Sequence, residues 1–292
     1  MRLQALLQAR WFAPWRALLV LLLALGTLGG CAVLDEQQRK WIFQPGTRSW
    51  AGAGPTDDMQ DVWIDFRSAQ TAEDVRLHGL WLPQADPRAP VLLYLHGAGW
   101  EVRSSSPRLR RWHELGFTVL AIDYRGFGQS TDSLPSETLV AEDARAAWAW
   151  MALQRPGAQR FVFGHSLGAA IAVTLAAEVG DEAGLIVEGS FPSILDVWGT
   201  WKWGWVPVGP FLTQRFDAAS RIAKIGSPVL VVHGSNDNLI PPELGRRLYE
   251  KAASPKRFEL VEGGSHHNTN SMGQAQYRQA LRELFGLAAP NS

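Results

Sequence analysis

The chain has 292 residues, enough for one large core, and its 46% apolar and 19% charged content describes a globular protein, not a disordered one. Formal net charge is zero, so no nucleic-acid partner is expected. A lone cysteine, Cys31, excludes an internal disulfide framework and a thiolate metal cluster.

The amino terminus reads as a targeting segment and stands apart from the fold. Arg2, Arg10 and Arg16 supply a positive start, and Ala17 to Leu28 is apolar apart from Gly26 and Thr27. Leu28-Gly29-Gly30-Cys31 then resembles a bacterial lipoprotein signal, with residues 1–30 removed and Cys31 lipidated. Ala32 after the cysteine, where aspartate would mean retention at the inner membrane, favours the outer membrane facing the periplasm. The alternatives are an uncleaved inner-membrane signal anchor, since Ala17 to Leu34 could nearly span a bilayer, and a plain secreted form. Each places the globular part in the cell envelope or outside the cytoplasm.

Residues 31–60, with Gly52, Gly54 and Pro55 close together, read as a tether and irregular lead-in to a domain over 61–288. Strand-like apolar runs follow at Val62–Phe66, Leu77–Leu82, Val91–Leu95, Phe117–Ile122, Phe161–Phe163, Leu185–Val187, Val229–Val232 and Phe258–Val261. The first two lack a helix between them and predict an antiparallel start. From Val91 onward, helices predicted near Pro107–Leu115, Ser136–Met151, Leu167–Val179, Pro242–Ala252 and Met272–Leu284 alternate with strands. This pattern predicts a mainly parallel sheet of eight strands covered on both faces. Residues 190–219 break the alternation with four of the fourteen tryptophans, Trp198, Trp201, Trp203 and Trp205. They read as a short cap between strands 6 and 7, or else as a decorated surface loop.

Gly164-His165-Ser166-Leu167-Gly168 joins a short apolar strand to an alanine-rich helix, the setting in which a serine hydroxyl is lifted onto a sharp turn as a nucleophile. Such a serine needs an imidazole base and a carboxylate to orient it, following in the order acid, then histidine. Asp237 lies in the turn after one strand, with Glu188 as rival acid at an earlier strand end, itself better read as a buried supporting hydrogen-bonding group. The glycine-rich loop after the last strand carries His266 and His267. His266 is the favoured base because it follows Gly264-Ser265, and His267 is the alternative. A metal site on the histidine pair is disfavoured, since adjacent histidines poorly satisfy a tetrahedron. His165 and His233 read as packing residues. The oxyanion needs fixed N–H donors, for which Leu167 after the nucleophile and Ala98 in His96-Gly97-Ala98 are the candidates.

With these residues assembled, the chain resembles the α/β-hydrolase family from about Val62 to Leu284, and within it a membrane-associated esterase-like subgroup of abhydrolase-domain lipases and serine aminopeptidase-like proteins. The likeness is carried by Tyr94-Leu95-His96-Gly97, Ile122-Asp123-Tyr124-Arg125-Gly126-Phe127-Gly128-Gln129-Ser130, Pro135-Ser136-Glu137, the Ser166 pentapeptide and His233-Gly234-Ser235-Asn236-Asp237. The subgroup often carries Asn where Ala98 stands and His-Asn-Asp where this chain has His266-His267-Asn268. The resemblance implies that Asp123 and Arg125 support the loop beside the site. The resulting expectation is a membrane-tethered serine hydrolase that needs no cofactor and cleaves small or lipid carboxylic esters through an acyl-enzyme. A peptidase or amidase of the same fold and a non-catalytic binding protein on a hydrolase scaffold are the alternatives.

Overall fold

The computed structural model describes residues 30–48, 54–253 and 255–287. The proposed leader over residues 1–30 lies outside them except for Gly30. Residues 31–43, placed by composition in an irregular lead-in, are helical instead, in a helix over residues 30–43 (α1). Its last residues Ile42 and Phe43 are buried, so the domain's core begins upstream of residue 61.

Eight strands form one sheet in the order β1-β2-β4-β3-β5-β6-β7-β8. They are β1 (Gln60–Arg67), β2 (Asp74–Leu82), β3 (Val91–Leu95), β4 (Thr118–Ile122), β5 (Arg160–His165), β6 (Gly184–Glu188), β7 (Val229–Gly234) and β8 (Lys256–Val261). β2 pairs antiparallel with both β1 and β4, and the other pairs are parallel. The central strands β3, β4, β6 and β7 are buried along their whole length, as continuous Val, Leu and Ile runs require when both faces are covered.

Helices α2 (Ser106–Glu114), α3 (Glu137–Gln154), α4 (Leu167–Val179) and α7 (Pro242–Lys251) supply most of that cover, with α9 (Gln274–Phe285) closing the chain. Leu109 and Trp112 of α2 pack with Tyr277 and Leu281 of α9 on one face. Val140 of α3, Ile171 of α4 and Leu248 of α7 join the larger cluster on the other. The predicted cap between β6 and β7 holds two short helices, α5 (Ile194–Gly199) and α6 (Ala218–Ile222), with a 3-10 turn at Gly209–Phe211 between them. One further short helix, α8 (Thr269–Met272), follows the histidine loop.

Candidate active site

The parallel order brings the carboxyl ends of β5, β6, β7 and β8 side by side, where ligands bind in open α/β sheets. Ser166 stands between β5 and α4 with φ 56° and ψ −122°, a strained backbone for a residue with a Cβ. Its N–H donates to the Glu188 carbonyl at 2.9 Å, pinning the turn to the end of β6. The two glycines of the pentapeptide are required by contact. A Cβ on Gly164 would collide with the Gly168 carbonyl, and one on Gly168 with the Leu95 carbonyl.

Asp237 and His266 meet. His266 Nδ1 lies 2.7 Å from Asp237 Oδ2, and both side chains are buried. The other Asp237 oxygen accepts from the N–H groups of Leu239 at 3.0 Å and Ile240 at 2.8 Å, so the turn fixes the carboxylate before it fixes the imidazole. Burial alone would raise the Asp237 pKa. The hydrogen bonds from His233, His266 and Ile240 and the His266 charge outweigh it and hold the carboxyl well below the usual range. An ionised Asp237 accepts a hydrogen bond from Nδ1–H, which leaves Nε2 as the basic nitrogen of His266. His266 packs over Gly189, where an added Cβ would lie 3.1 Å from its Cε1, and Gly189 directly follows the residue that holds Ser166. His267 is exposed on the outer side of the loop, and partial desolvation with the nearby His266 and Arg108 lowers its pKa. Of the two histidines, the structure brings His266 to the carboxylate and leaves His267 outside.

The loop after β3 closes the other side. A Cβ on Gly97 would lie 3.1 Å from the Ser166 Cβ, so Ala98 follows directly on the closest approach of that loop to the serine. Leu167 opens α4, where backbone N–H groups have no intrahelical partner. His96 shapes the loop through Nδ1, 2.7 Å from the Gly97 carbonyl. The loop is also tied to the amino-terminal helix, because Gly99 N–H donates to the Phe43 carbonyl at 2.9 Å.

Glu188 belongs to a buried polar group beneath the histidine loop whose other members, Arg108 and Tyr277, escaped the sequence reading. Arg108 of α2 pairs with one oxygen of Glu188, while the Tyr277 hydroxyl donates to the other. Arg108 also donates to the His267 carbonyl at 2.8 Å, and His165 Nε2 sits 2.9 Å from the His266 carbonyl. Burial, then the Arg108 charge, lowers the His165 pKa well below its ordinary value, so its neutral Nε2–H donates to that carbonyl. Glu188 is therefore an anchor for Arg108 and not the acid that orients His266. Asp123 and Arg125 brace adjacent loops. Asp123 accepts from Val102 N–H at 2.6 Å, and Arg125 pairs with Asp143 at 2.8 Å and Glu142 at 2.6 Å. His233 is a strand-end support, its Nε2 2.8 Å from the Ile240 carbonyl.

The sheet order, the strained serine turn and the cap after β6 describe an α/β hydrolase. A family model, serine aminopeptidase S33, matches residues 85–201 and 210–271, and the chain belongs to that family of hydrolases. An uncharacterized protein of Mycobacterium tuberculosis is 33% identical over 271 residues, covering 91% of this chain and 93% of the relative. The lysophosphatidylserine lipase ABHD12 of Danio rerio is 30% identical over 187 residues, 57% of this chain and 48% of that protein. Among solved structures, the Pyrococcus furiosus esterase Pf2001 superimposes with a TM-score of 0.63 at 19% identity, over 82% of this chain and all of the other. The Pyrococcus horikoshii acylaminoacyl peptidase gives a TM-score of 0.59 at 14% identity, covering 81% of this chain and 43% of that one. At these identities the two structures speak for the fold.

Proposed function

We propose that the protein is a membrane-tethered serine hydrolase of carboxylic esters. The observation that carries the reading is the His266–Asp237 pair at 2.7 Å, on successive strand ends beside a serine whose backbone is strained. In this mechanism Ser166 Oγ attacks the ester carbonyl while His266 Nε2 takes its proton, and Asp237 stabilises the imidazolium through Nδ1. The N–H groups of Ala98 and Leu167 hold the oxyanion. The protonated His266 gives its proton to the departing alkoxide, leaving an acyl-Ser166. Water, deprotonated by the same nitrogen, then releases the acid and restores the hydroxyl. These steps use side chains and backbone of this chain alone.

Esters lead because the relatives with named activities include a lysophosphatidylserine lipase and an esterase of the same fold. The family description as serine aminopeptidase supports amides as the second reading. The Leu28-Gly29-Gly30-Cys31 run supports lipidation of Cys31 and a bacterial envelope location, and Cys31 is exposed at the start of α1.

Ser166→Ala is expected to lower p-nitrophenyl ester turnover by roughly 10³-fold or more and to abolish fluorophosphonate labelling. Unchanged turnover and labelling would overturn the assignment. Comparing p-nitrophenyl esters with aminoacyl anilides on the wild-type protein separates the ester from the amide reading.

A further inference from the structure

The cap exposes more aromatic surface than a solvated loop would carry. Trp203 is 58% exposed, Trp205 75% and Phe211 64%, and Trp201 is also exposed. Contacts join these residues to one another and to α1. Trp41 of α1 packs edge-on against Trp201 at 5.2 Å between ring centres, and Trp203 and Trp205 lie 6.3 Å apart. Gln38 donates to the Phe211 carbonyl at 2.7 Å and accepts from Thr213 N–H at 3.0 Å. Gln214 bonds Asp35 at 2.9 Å. Helical spacing puts Leu34, itself exposed, on the stripe of α1 that carries Gln38 and Trp41. The amino-terminal helix and the cap thus share one aromatic face.

We propose that this face lies on a lipid bilayer, with its tryptophans at headgroup depth. Two observations select lipid as the occupant. First, α1 carries the candidate lipidation site Cys31 at its start and follows the apolar run Ala17 to Leu28 in the sequence, so a tether attached there begins next to this face. Second, residues 197–216 contain no acid and two cations, Lys202 and Arg215. The Lys202 ammonium lies 5.8 Å from the Trp203 ring centre. Tryptophan and lysine side by side are the pairing that membrane interfaces favour, with apolar stem and ring below and charge among phosphates. Contiguous exposed apolar surface of this kind marks an interaction site, not ordinary surface.

The consequence for the enzyme is orientation. α1 ends on Phe43, whose carbonyl holds Gly99 beside the proposed oxyanion donor, and the cap springs from β6 beside Ser166. A face made of α1 and the cap therefore presents the site to ester groups at the bilayer surface. This rests on the serine-hydrolase and tether readings above, and its test is separable from both.

The full-length protein is reconstituted in phosphatidylcholine–phosphatidylglycerol vesicles, with and without brominated acyl chains, as wild type and as the triple variant Trp203→Ser, Trp205→Ser, Phe211→Ser. Fractional quenching of tryptophan emission by the brominated lipid is expected to fall by about half in the variant, since interfacial rings are the ones within reach of the bromines. Turnover of a long-chain ester carried in the vesicles is expected to fall about tenfold, one decade of lost productive encounter. Turnover of soluble p-nitrophenyl acetate stays within about twofold, which also shows that the variant folds. Equal quenching in the two proteins overturns the proposal whatever the rates do. So does a wild type that is dimeric in solution through this face, with unquenched tryptophans. Quenching decides the matter even if no ester is cleaved, and release of Cys31→Ala from the membrane tests the tether on its own.

Discussion

At the scale of single residues, the two neighbouring histidines 266 and 267 have opposite surroundings. The ring of His266 is buried and bonded to Asp237, whereas His267 contributes its carbonyl to Arg108 and leaves its ring outside. His266→Ala is accordingly expected to remove activity by roughly 10³-fold or more, and His267→Ala to keep kcat within a few-fold. Steady-state kinetics of the two variants on one soluble ester decide it. His78 gives a pH prediction of definite sign. It is fully buried in β2, with Nδ1 3.0 Å from Asp123 and Nε2 2.7 Å from Asp61, which also faces Arg103. His96 approaches Asp123 from the other side at 3.9 Å. Burial alone would lower the His78 pKa, but the bonds from the two carboxylates win and raise it. A raised histidine contributes stability that is complete below the unfolded value of about 6.5 and is lost as pH rises through the folded value. Melting temperature is expected to decline from neutral to mildly alkaline pH, by up to about 1.4 kcal/mol of stability per pH unit. His78→Gln is expected to flatten that decline, and a wild-type curve flat across the same range would refute the imidazolium assignment.

At the scale of elements, the histidine loop is held from below by a helix on the opposite side of the serine. Arg108 sits in α2 and reaches both Glu188 at the end of β6 and the carbonyl of His267. Arg108→Met removes the bond to the His267 carbonyl and leaves Glu188 buried with the Tyr277 hydroxyl as its hydrogen-bond partner and the neutral His165 ring nearby. Breaking such a pair costs about 3–5 kcal/mol, and loss of loop position costs roughly 10- to 100-fold in kcat. KM for a small ester is expected to change little, because Arg108 binds loop and strand. A variant with lower melting temperature but unchanged kcat would make Arg108 a stability residue alone. This clamp was hidden in the sequence, since α2 reads Ser-Pro-Arg-Leu-Arg-Arg and nothing local distinguishes the buried arginine from its neighbours. The strands were legible for the opposite reason. A strand covered on both faces must be apolar throughout, and Val91–Leu95 or Val229–Val232 can hardly be anything else. The meeting of Asp237 and His266 was legible because each follows a strand in a loop, and neighbouring parallel strands bring such loops together.

At the scale of the molecule, the amino-terminal helix changes where the domain starts. Its sequence carries little periodic signal, since charged and amide residues from Asp35 to Lys40 separate Ala32-Val33-Leu34 from a second apolar triplet, Trp41-Ile42-Phe43. That triplet nevertheless docks on two parts of the fold, the cap and the loop after β3. Trp41 meets Trp201 of the cap, Phe43 stacks edge-on against Phe216 at 5.6 Å, and the Phe43 carbonyl holds Gly99. Because Phe43 is fully buried, Phe43→Ala leaves a cavity the size of a ring between sheet, cap and the loop beside Ser166. The expected cost is about 3–5 kcal/mol, read as a lower urea midpoint with an unchanged slope. Both the cap and the loop after β3 border that cavity, so kcat is expected to fall together with stability even at temperatures where the variant is fully folded. Trp41→Ala, which loses only a half-exposed contact, is expected to cost less than about 1.5 kcal/mol and to spare kcat on soluble esters. A Phe43→Ala protein as stable as wild type would mean that the helix is a tether after all, laid against the domain without helping to build it.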